Sequence, residues 1–246
     1  MKTNLLVYNL QCAHCVSTIN KELRKINGVY GIEADIANQR LVIDHTEDVS
    51  LQQVSSTLTK LGYTNKISEL DAFQLKAANW DSNPIRVAQA EKFFRKITEI
   101  IPLKSTDTVM DFGCGTGLVG LQFTPYVNKL IMADNSAAML SVLKEKITSL
   151  PIDASKFEIL SAPIKEFANS EIDVVVSLMT FHHIEEPELV INELYQKIKA
   201  GGYLAIGDLA KEDGSFHEEK VAHNGFDTEI LINYLQAAGF KIIFDE

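Results

Sequence analysis

A short apolar run, "DTVMDF" at 107–112, breaks directly into "GCGTG" at 113–117 and then into "LVGLQF". This order of strand, glycine loop and helix constrains the fold more than any other feature of the chain. Glycines at 113, 115 and 117 allow a sharp turn and let a ligand approach the backbone at a helix start. Helices and strands alternate around the loop. A helix carrying Val87, Ala90, Phe94 and Ile97 precedes it. After it come helix 118–124, strand "KLIMAD", helix 136–149, strands "FEILS" and "DVVVSL", helix 187–199 and strand "YLAIGDL". "VVVSL" is apolar on both faces, as befits a central parallel strand covered by helices on each side. Residues 81–246 are therefore expected to form an α/β domain with a doubly wound, mostly parallel sheet.

A glycine loop alone does not discriminate between nucleotide classes. Asp111, at the strand tip, sharpens the choice. Its charge would repel a dinucleotide pyrophosphate but suits a ligand carrying an ammonium group beside a sulfonium. Asp134 closes the next strand, from which a carboxylate accepts both hydroxyls of an adenosyl ribose. Together they favour S-adenosylmethionine.

The first 67 residues read differently. Apolar strand Leu5 to Leu10 runs into Cys12 and Cys15, and Val16, Ile19, Leu23 and Ile26 then recur at helical spacing. Alternating Tyr30, Ile32, Ala34 and Ile36 turn at "NQR" into "LVID". A second helix carries Leu51, Val54, Leu58 and Leu61, and a last strand lies near Tyr63 to Ile67. The order βαββαβ makes a small α+β domain over residues 1–67 with a four-stranded antiparallel sheet. Residues 68–80, "SELDAFQLKAANW", lack sheet periodicity and read as a helical linker.

Cys15 opens the first helix, where the dipole and free N–H groups lower a thiol's pKa. Two thiolates select a soft ion, Cu(I) above Zn(II), because zinc wants four ligands and only His14 stands nearby. A dithiol redox centre is the competing reading, but that motif belongs on a thioredoxin-type sheet.

"LQCAHCVSTINKEL…LGY" resembles the heavy-metal-associated domain of copper chaperones and metal-pumping ATPases, with a ferredoxin-like fold, over residues 3–67. The resemblance implies that Cys12 and Cys15 are metal ligands and that Tyr63 packs near their loop. The family has Gly-Met where this chain has Asn9-Leu10, and Leu10 can fill the apolar anchoring role.

Residues 77–240 are similar to class I S-adenosylmethionine-dependent methyltransferases of Rossmann-like fold, on "NWDSNP", "DFGCGTGLVGL", "DNSAAML", "VVVSLMTFHHIEEP" and "EDGSFH…HNGF". The similarity implies that Asp111, Gly113 and Gly115 contact the methionine part, Asp134 the ribose, and Asn135 and Met139 the adenine side. Cys114, Gly117, Ala162 and Ser177 complete the candidate cofactor set. Many members place an acid after the third strand for the adenine amino group. Here Ala162 and Pro163 stand there, leaving adenine to backbone groups and packing.

A sulfonium is already an activated methyl donor, so the protein's tasks are positioning and proton removal. The acceptor in such sheets binds beyond the strand ends, beside Thr180, Phe181, His182, His183 and Asp208. His182 and His183 are the candidate catalytic bases. Asp213, His217, Glu218, Glu219 and His223 come from a later excursion that reads as a lid, with metal binding the lesser reading. Trp80 and Asp81 are expected to close the pocket from the other side.

A net charge of −10 and a pI near 5.1 disfavour nucleic acid and anionic membranes as partners. A small-molecule acceptor fits better. The 3 cysteines make no disulfide framework, and without a long apolar segment or cationic leader the chain reads as cytoplasmic. The close "FKIIFDE" offers one strand where methyltransferases of this class have a hairpin, so the sheet edge is a candidate homodimer surface. Three functions follow: methylation of a small organic acceptor with the metal module as tether or regulator, methylation of a metal or metalloid delivered by Cys12 and Cys15, or a sensor without turnover.

Overall fold

The computed structural model describes residues 2–46, 48–67, 73, 76–161, 164, 172–216 and 221–245. The chain divides into two compact units, Met1–Ala72 and Phe73–Glu246.

In the first unit the elements are β1 (Lys2–Val7), α1 (Ala13–Leu23), β2 (Val29–Asp35), β3 (Arg40–His45), α2 (Leu51–Lys60) and β4 (Asn65–Ile67). The antiparallel sheet runs β2-β3-β1-β4. Leu5 lies opposite Leu41, and both are buried together with Val7 and Ile43. Strand alternation puts these residues on one face, which the stripes Ile19 and Leu23 of α1 and Val54 and Leu58 of α2 cover.

The second unit opens with a 3-10 helix, Ala77–Ser82, and continues with α3 (Pro84–Ile100), β5 (Thr108–Phe112), β6 (Lys129–Ala133), α4 (Ala137–Ser149), β7 (Phe157–Leu160), β8 (Ile172–Leu178), α5 (Pro187–Lys197), β9 (Ile198–Gly207) and α6 (Thr228–Ala238). Its parallel sheet has the order β7-β6-β5-β8-β9. The chain winds outward from β5 in one direction and then from β8 in the other, so β5 and β8 flank the switch point where such sheets bind ligands. Helices α3 and α4 pack on one face through Ala90, Ile97, Leu140 and Leu143. Helix α5 covers the other through Ile191 and Leu194, joined by Leu231 and Leu235 of α6.

Three expectations are corrected. The helix at 118–124 is only a 3-10 turn, Gly120–Phe123. The Gly120 N–H is diverted to the Asp111 carboxylate at 2.8 Å, and Pro125 has no N–H with which to continue a helix. The helix expected to reach 199 stops at Lys197, because Ile198 already pairs with Ile172 in the sheet. The closing segment forms no strand. Phe240 packs edge-on against Tyr195 at 4.9 Å, and the Phe244 ring lies 5.0 Å from Lys96 Nζ. This tail is held by side chains of helices from both faces, and among the described residues β9 is an edge strand. No helix among the described residues is long and apolar enough to cross a membrane.

Candidate functional site

Asp111 lies in β5 opposite Met132 of β6 and Val176 of β8, deep in the parallel sheet. It is 1% exposed, and burial pushes its carboxyl up to about 7 against the Gly120 N–H, with the nearby Asp134 charge adding to the rise. The two acids differ in access: Asp111 is buried within the sheet, whereas Asp134 is half-buried just beyond the end of β6.

Beyond Phe112 the chain turns at Gly113, whose φ is +76°. A Cβ there would stand 2.2 Å from Thr180 Oγ1, so the turn and the approach of the β8 loop both require glycine. The N–H groups of Gly113 and Cys114 donate to the Ala133 carbonyl at 2.8 and 3.0 Å, fastening the loop to the end of β6. At Gly115, with φ of +52°, the nearest atom to such a Cβ is Met139 Sδ at 4.0 Å. The Gly115 N–H donates to Asp134 Oδ2 at 2.7 Å, while Asp134 Oδ1 accepts from Ser136 N–H at 2.8 Å. Burial raises the Asp134 pKa; these N–H groups, that of Asn135 and the proximity of His183 oppose the rise. Asn135 is exposed beside it, and Met139 is buried beneath Gly115. Gly117, with φ of +84°, packs its backbone against Leu143.

Two members of the candidate cofactor set face away from the crevice. The Cys114 side chain is buried in the core and its thiol is pushed well above the usual range, leaving only its backbone for contact. Ser177 is wholly buried and donates to the Phe112 carbonyl at 2.8 Å, tying β8 to β5. Ala162 lies outside the described residues.

After β8 the chain turns at Met179, φ +55°, whose N–H donates to the Gly207 carbonyl at 2.7 Å. Asp208 then organises the loop. Its Oδ2 accepts from Thr180 N–H at 3.1 Å and Phe181 N–H at 2.7 Å, and its Oδ1 accepts from Leu209 N–H at 2.7 Å. His182 Nδ1 lies 2.6 Å from Asp208 Oδ1, the two side chains being 1% and 3% exposed. An imidazole so enclosed has no surface to offer an acceptor. His182, expected as a candidate base, instead forms with Asp208 a buried pair that fixes the loop. His183 is half-buried, stacks at 4.0 Å on His182, meets the edge of Phe73 at 5.2 Å and acts electrostatically on Asp134. Of the two histidines, it is the one that acts on Asp134.

His223 is engaged by its N–H to the His182 carbonyl at 2.9 Å and by Nε2 near the Glu185 carbonyl at 3.3 Å. Asp213 accepts from Ser215 N–H in an exposed turn, and His217, Glu218 and Glu219 lie outside the described residues. Among the described residues no group of three metal-ligating side chains converges.

In the first unit Cys12 is the N-cap of α1, its Sγ accepting from Cys15 N–H at 3.3 Å. The two Sγ atoms lie 2.8 Å apart and the cysteines are free thiols. Hydrogen bonds from Cys12 and then from Tyr63 lower Cys15 to about 7, and the same contact raises Tyr63 to about 12. Leu10 is 1% exposed and anchors the loop, while Asn9 takes a left-handed φ of +66°, which asparagine tolerates best after glycine. His14 is exposed.

Residues 110–206 match the family model of a methyltransferase domain, and residues 5–64 that of a heavy-metal-associated domain. An uncharacterized methyltransferase of Schizosaccharomyces pombe is 30% identical over 155 residues, covering 56% of this chain and 55% of that protein. Phosphoethanolamine N-methyltransferase 1 of Triticum aestivum is 27% identical over 62% of this chain and 32% of its own. The chain thus matches about half the length of the first relative and a third of the second. A solved S-adenosylmethionine-dependent methyltransferase of Aquifex aeolicus shares the fold with a TM-score of 0.56, 24% identity and coverage of 68% of this chain and 88% of that one. The first unit thus matches a heavy-metal-associated domain, and the second, which shares the fold of the solved methyltransferase, matches a methyltransferase domain.

Proposed function

We propose that the chain transfers a methyl group from S-adenosylmethionine to a small organic acceptor, and that its N-terminal module holds a soft metal ion which tethers or regulates it. The observation that carries this reading is the half-buried Asp134 carboxylate at the end of β6, held by the N–H of Gly115, a residue whose missing Cβ would meet no atom nearer than 4.0 Å. A backbone free of Cβ, one rim carboxylate and a second buried acid suit a cationic nucleoside. When bound, the cofactor supplies a methyl group already activated on sulfonium.

The chain's own residues do the rest. Asp134 keeps lone pairs free for two ribose hydroxyls after accepting its two N–H bonds. Asp111 contributes negative potential from below without direct contact. Asn135 and Met139 border the side where adenine would lie. The buried pair His182 and Asp208 sets the loop, and the half-buried His183 imidazole stands where it could take an acceptor proton.

For the metal module, two converging thiolates without further ligands among the described residues favour low-coordinate Cu(I) over tetrahedral Zn(II). A metalloid acceptor is less well supported, because the only other thiol, Cys114, is buried in the core.

Methyl-labelled S-adenosylmethionine, incubated with full-length protein and a protein-free metabolite extract, tests the reading. Label should enter the low-mass fraction, disappear with Asp134→Ala, and persist with Cys12→Ser/Cys15→Ser. Label absent from every fraction would overturn the assignment, and label appearing only when soft metal is bound by intact thiols would favour the metalloid reading.

A further inference from the structure

Two charged side chains from distant parts of the second unit, Asp81 and Lys146, close a ring with Thr116, the residue between Gly115 and Gly117, two of the left-handed glycines of the loop. The Thr116 hydroxyl donates to Asp81 Oδ1 at 2.5 Å, and its carbonyl accepts from Lys146 Nζ at 2.7 Å. Lys146 and the other Asp81 oxygen form an ion pair. Thr116 is 1% exposed, whereas Asp81 and Lys146 side chains are 34% and 28% exposed. Asp81 comes from the 3-10 helix Ala77–Ser82 and Lys146 from α4.

The ring meets a specific need. Gly115 and Gly117 have more backbone freedom than any other residue type, and freezing them costs conformational entropy. Unless the peptide between them is held, the loop is free to pivot at both glycines. Holding Thr116 by both its hydroxyl and its carbonyl fixes that peptide from two sides. The same residues hold the 3-10 helix across the loop. Trp80, adjoining Asp81, lies under the Arg86 guanidinium at 3.8 Å and against Phe73 at 5.7 Å, and Phe73 also touches His183.

The geometry points to Asp81 as a positioning residue: with Lys146 it latches segment 77–82 onto Thr116 and so fixes the glycine loop in its cofactor-binding form. This rests on the functional reading above and adds to it a residue that acts through the loop. Asp81 touches no reacting atom. Its loss therefore falls on cofactor affinity more than on turnover at saturation.

The experiment is calorimetric titration of the full chain with S-adenosylmethionine, for wild type, Asp81→Asn, Thr116→Val and Thr116→Ser, with thermal unfolding of each protein without cofactor. Thr116→Val is nearly isosteric and removes the hydroxyl, while Thr116→Ser keeps it. Expected are an increase in Kd of about tenfold or more, equivalent to about 1.4 kcal/mol, for Asp81→Asn and Thr116→Val, and near wild-type affinity for Thr116→Ser. In methyl transfer the KM for cofactor should rise more than kcat falls. If Asp81→Asn fails to fold, the Val and Ser pair at position 116 decides alone. Wild-type affinity in folded Thr116→Val, or equal losses in Val and Ser, would overturn the latch. Wild type that ignores the cofactor would instead overturn the functional reading on which the latch rests.

Discussion

A carboxyl group at position 111 sits where water does not reach it, and its ionisation responds to whatever lies above. Its value of about 7 lies above the usual 3.8, so the folded state holds this proton more tightly than the unfolded chain does. The associated stabilisation is complete below about pH 4 and is lost as pH rises through about 7. A cationic ligand reverses the preference by favouring the carboxylate. Affinity for S-adenosylmethionine is therefore expected to strengthen as pH climbs toward about 7, by at most about tenfold per unit for one proton, and to level off above it. Titrations across that range check it, and a flat profile would contradict it. Two glycines give a paired test. Gly113→Ala meets Thr180 at 2.2 Å with φ at +76° and should destabilise the fold by about 2 kcal/mol or more. Gly115→Ala has 4.0 Å of clearance and should fold yet lose cofactor, which melting and titration together would show. In the first unit, Tyr63→Phe removes the second-largest cause of the Cys15 shift. The thiol should then titrate above about 7, slowing its alkylation at neutral pH.

At the scale of elements, most strands were legible because each carries its own local signal, although the first, expected at Leu5–Leu10, runs Lys2–Val7 and none forms among the described residues at 240–245. "VVVSL" is buried on both faces in β8, and Leu5 alternates with Val7 in β1. Departures occur where a distant group outcompetes the local pattern. Apolar spacing at 118–124 suggests a helix, but Asp111, nine residues back, captures the Gly120 N–H. "HH" reads as two equivalent imidazoles, and only the fold separates them, sending His182 inward to Asp208 and leaving His183 half-buried. Lys146 carried no signal at all, since its partners lie 30 and 65 residues away and nothing in α4 distinguishes it from other helix-surface lysines. The loop after β8 depends on one carboxylate that accepts from three backbone N–H groups and faces one imidazole. Asp208→Asn turns an acceptor into a donor opposite the buried His182. It should cost about 2 to 4 kcal/mol of stability, read by denaturant unfolding, and lower kcat by displacing His183.

At the scale of the whole molecule, two candidate ligand chemistries fall in separate compact units, a pair of thiols before residue 72 and a glycine loop with its acids after it. The glycine loop and the acids that follow successive strands identified the second unit from the sequence, because that site is built from contiguous strand tips. The direction each acid faces was not legible, because burial of Asp111 depends on neighbours from β6, β8 and the turn at Gly120. The account stands on the Asp134 rim and the open backbone at Gly115 as the seat of a cationic nucleoside. Its most direct test is equilibrium dialysis of the full chain against S-adenosylmethionine and, separately, NAD, with Asp134→Ala alongside wild type. The account predicts saturable, one-to-one binding of S-adenosylmethionine by wild type, at least about tenfold weaker binding by the folded variant, and no binding of NAD. Equal binding by wild type and variant, or NAD held in place of S-adenosylmethionine, would contradict it.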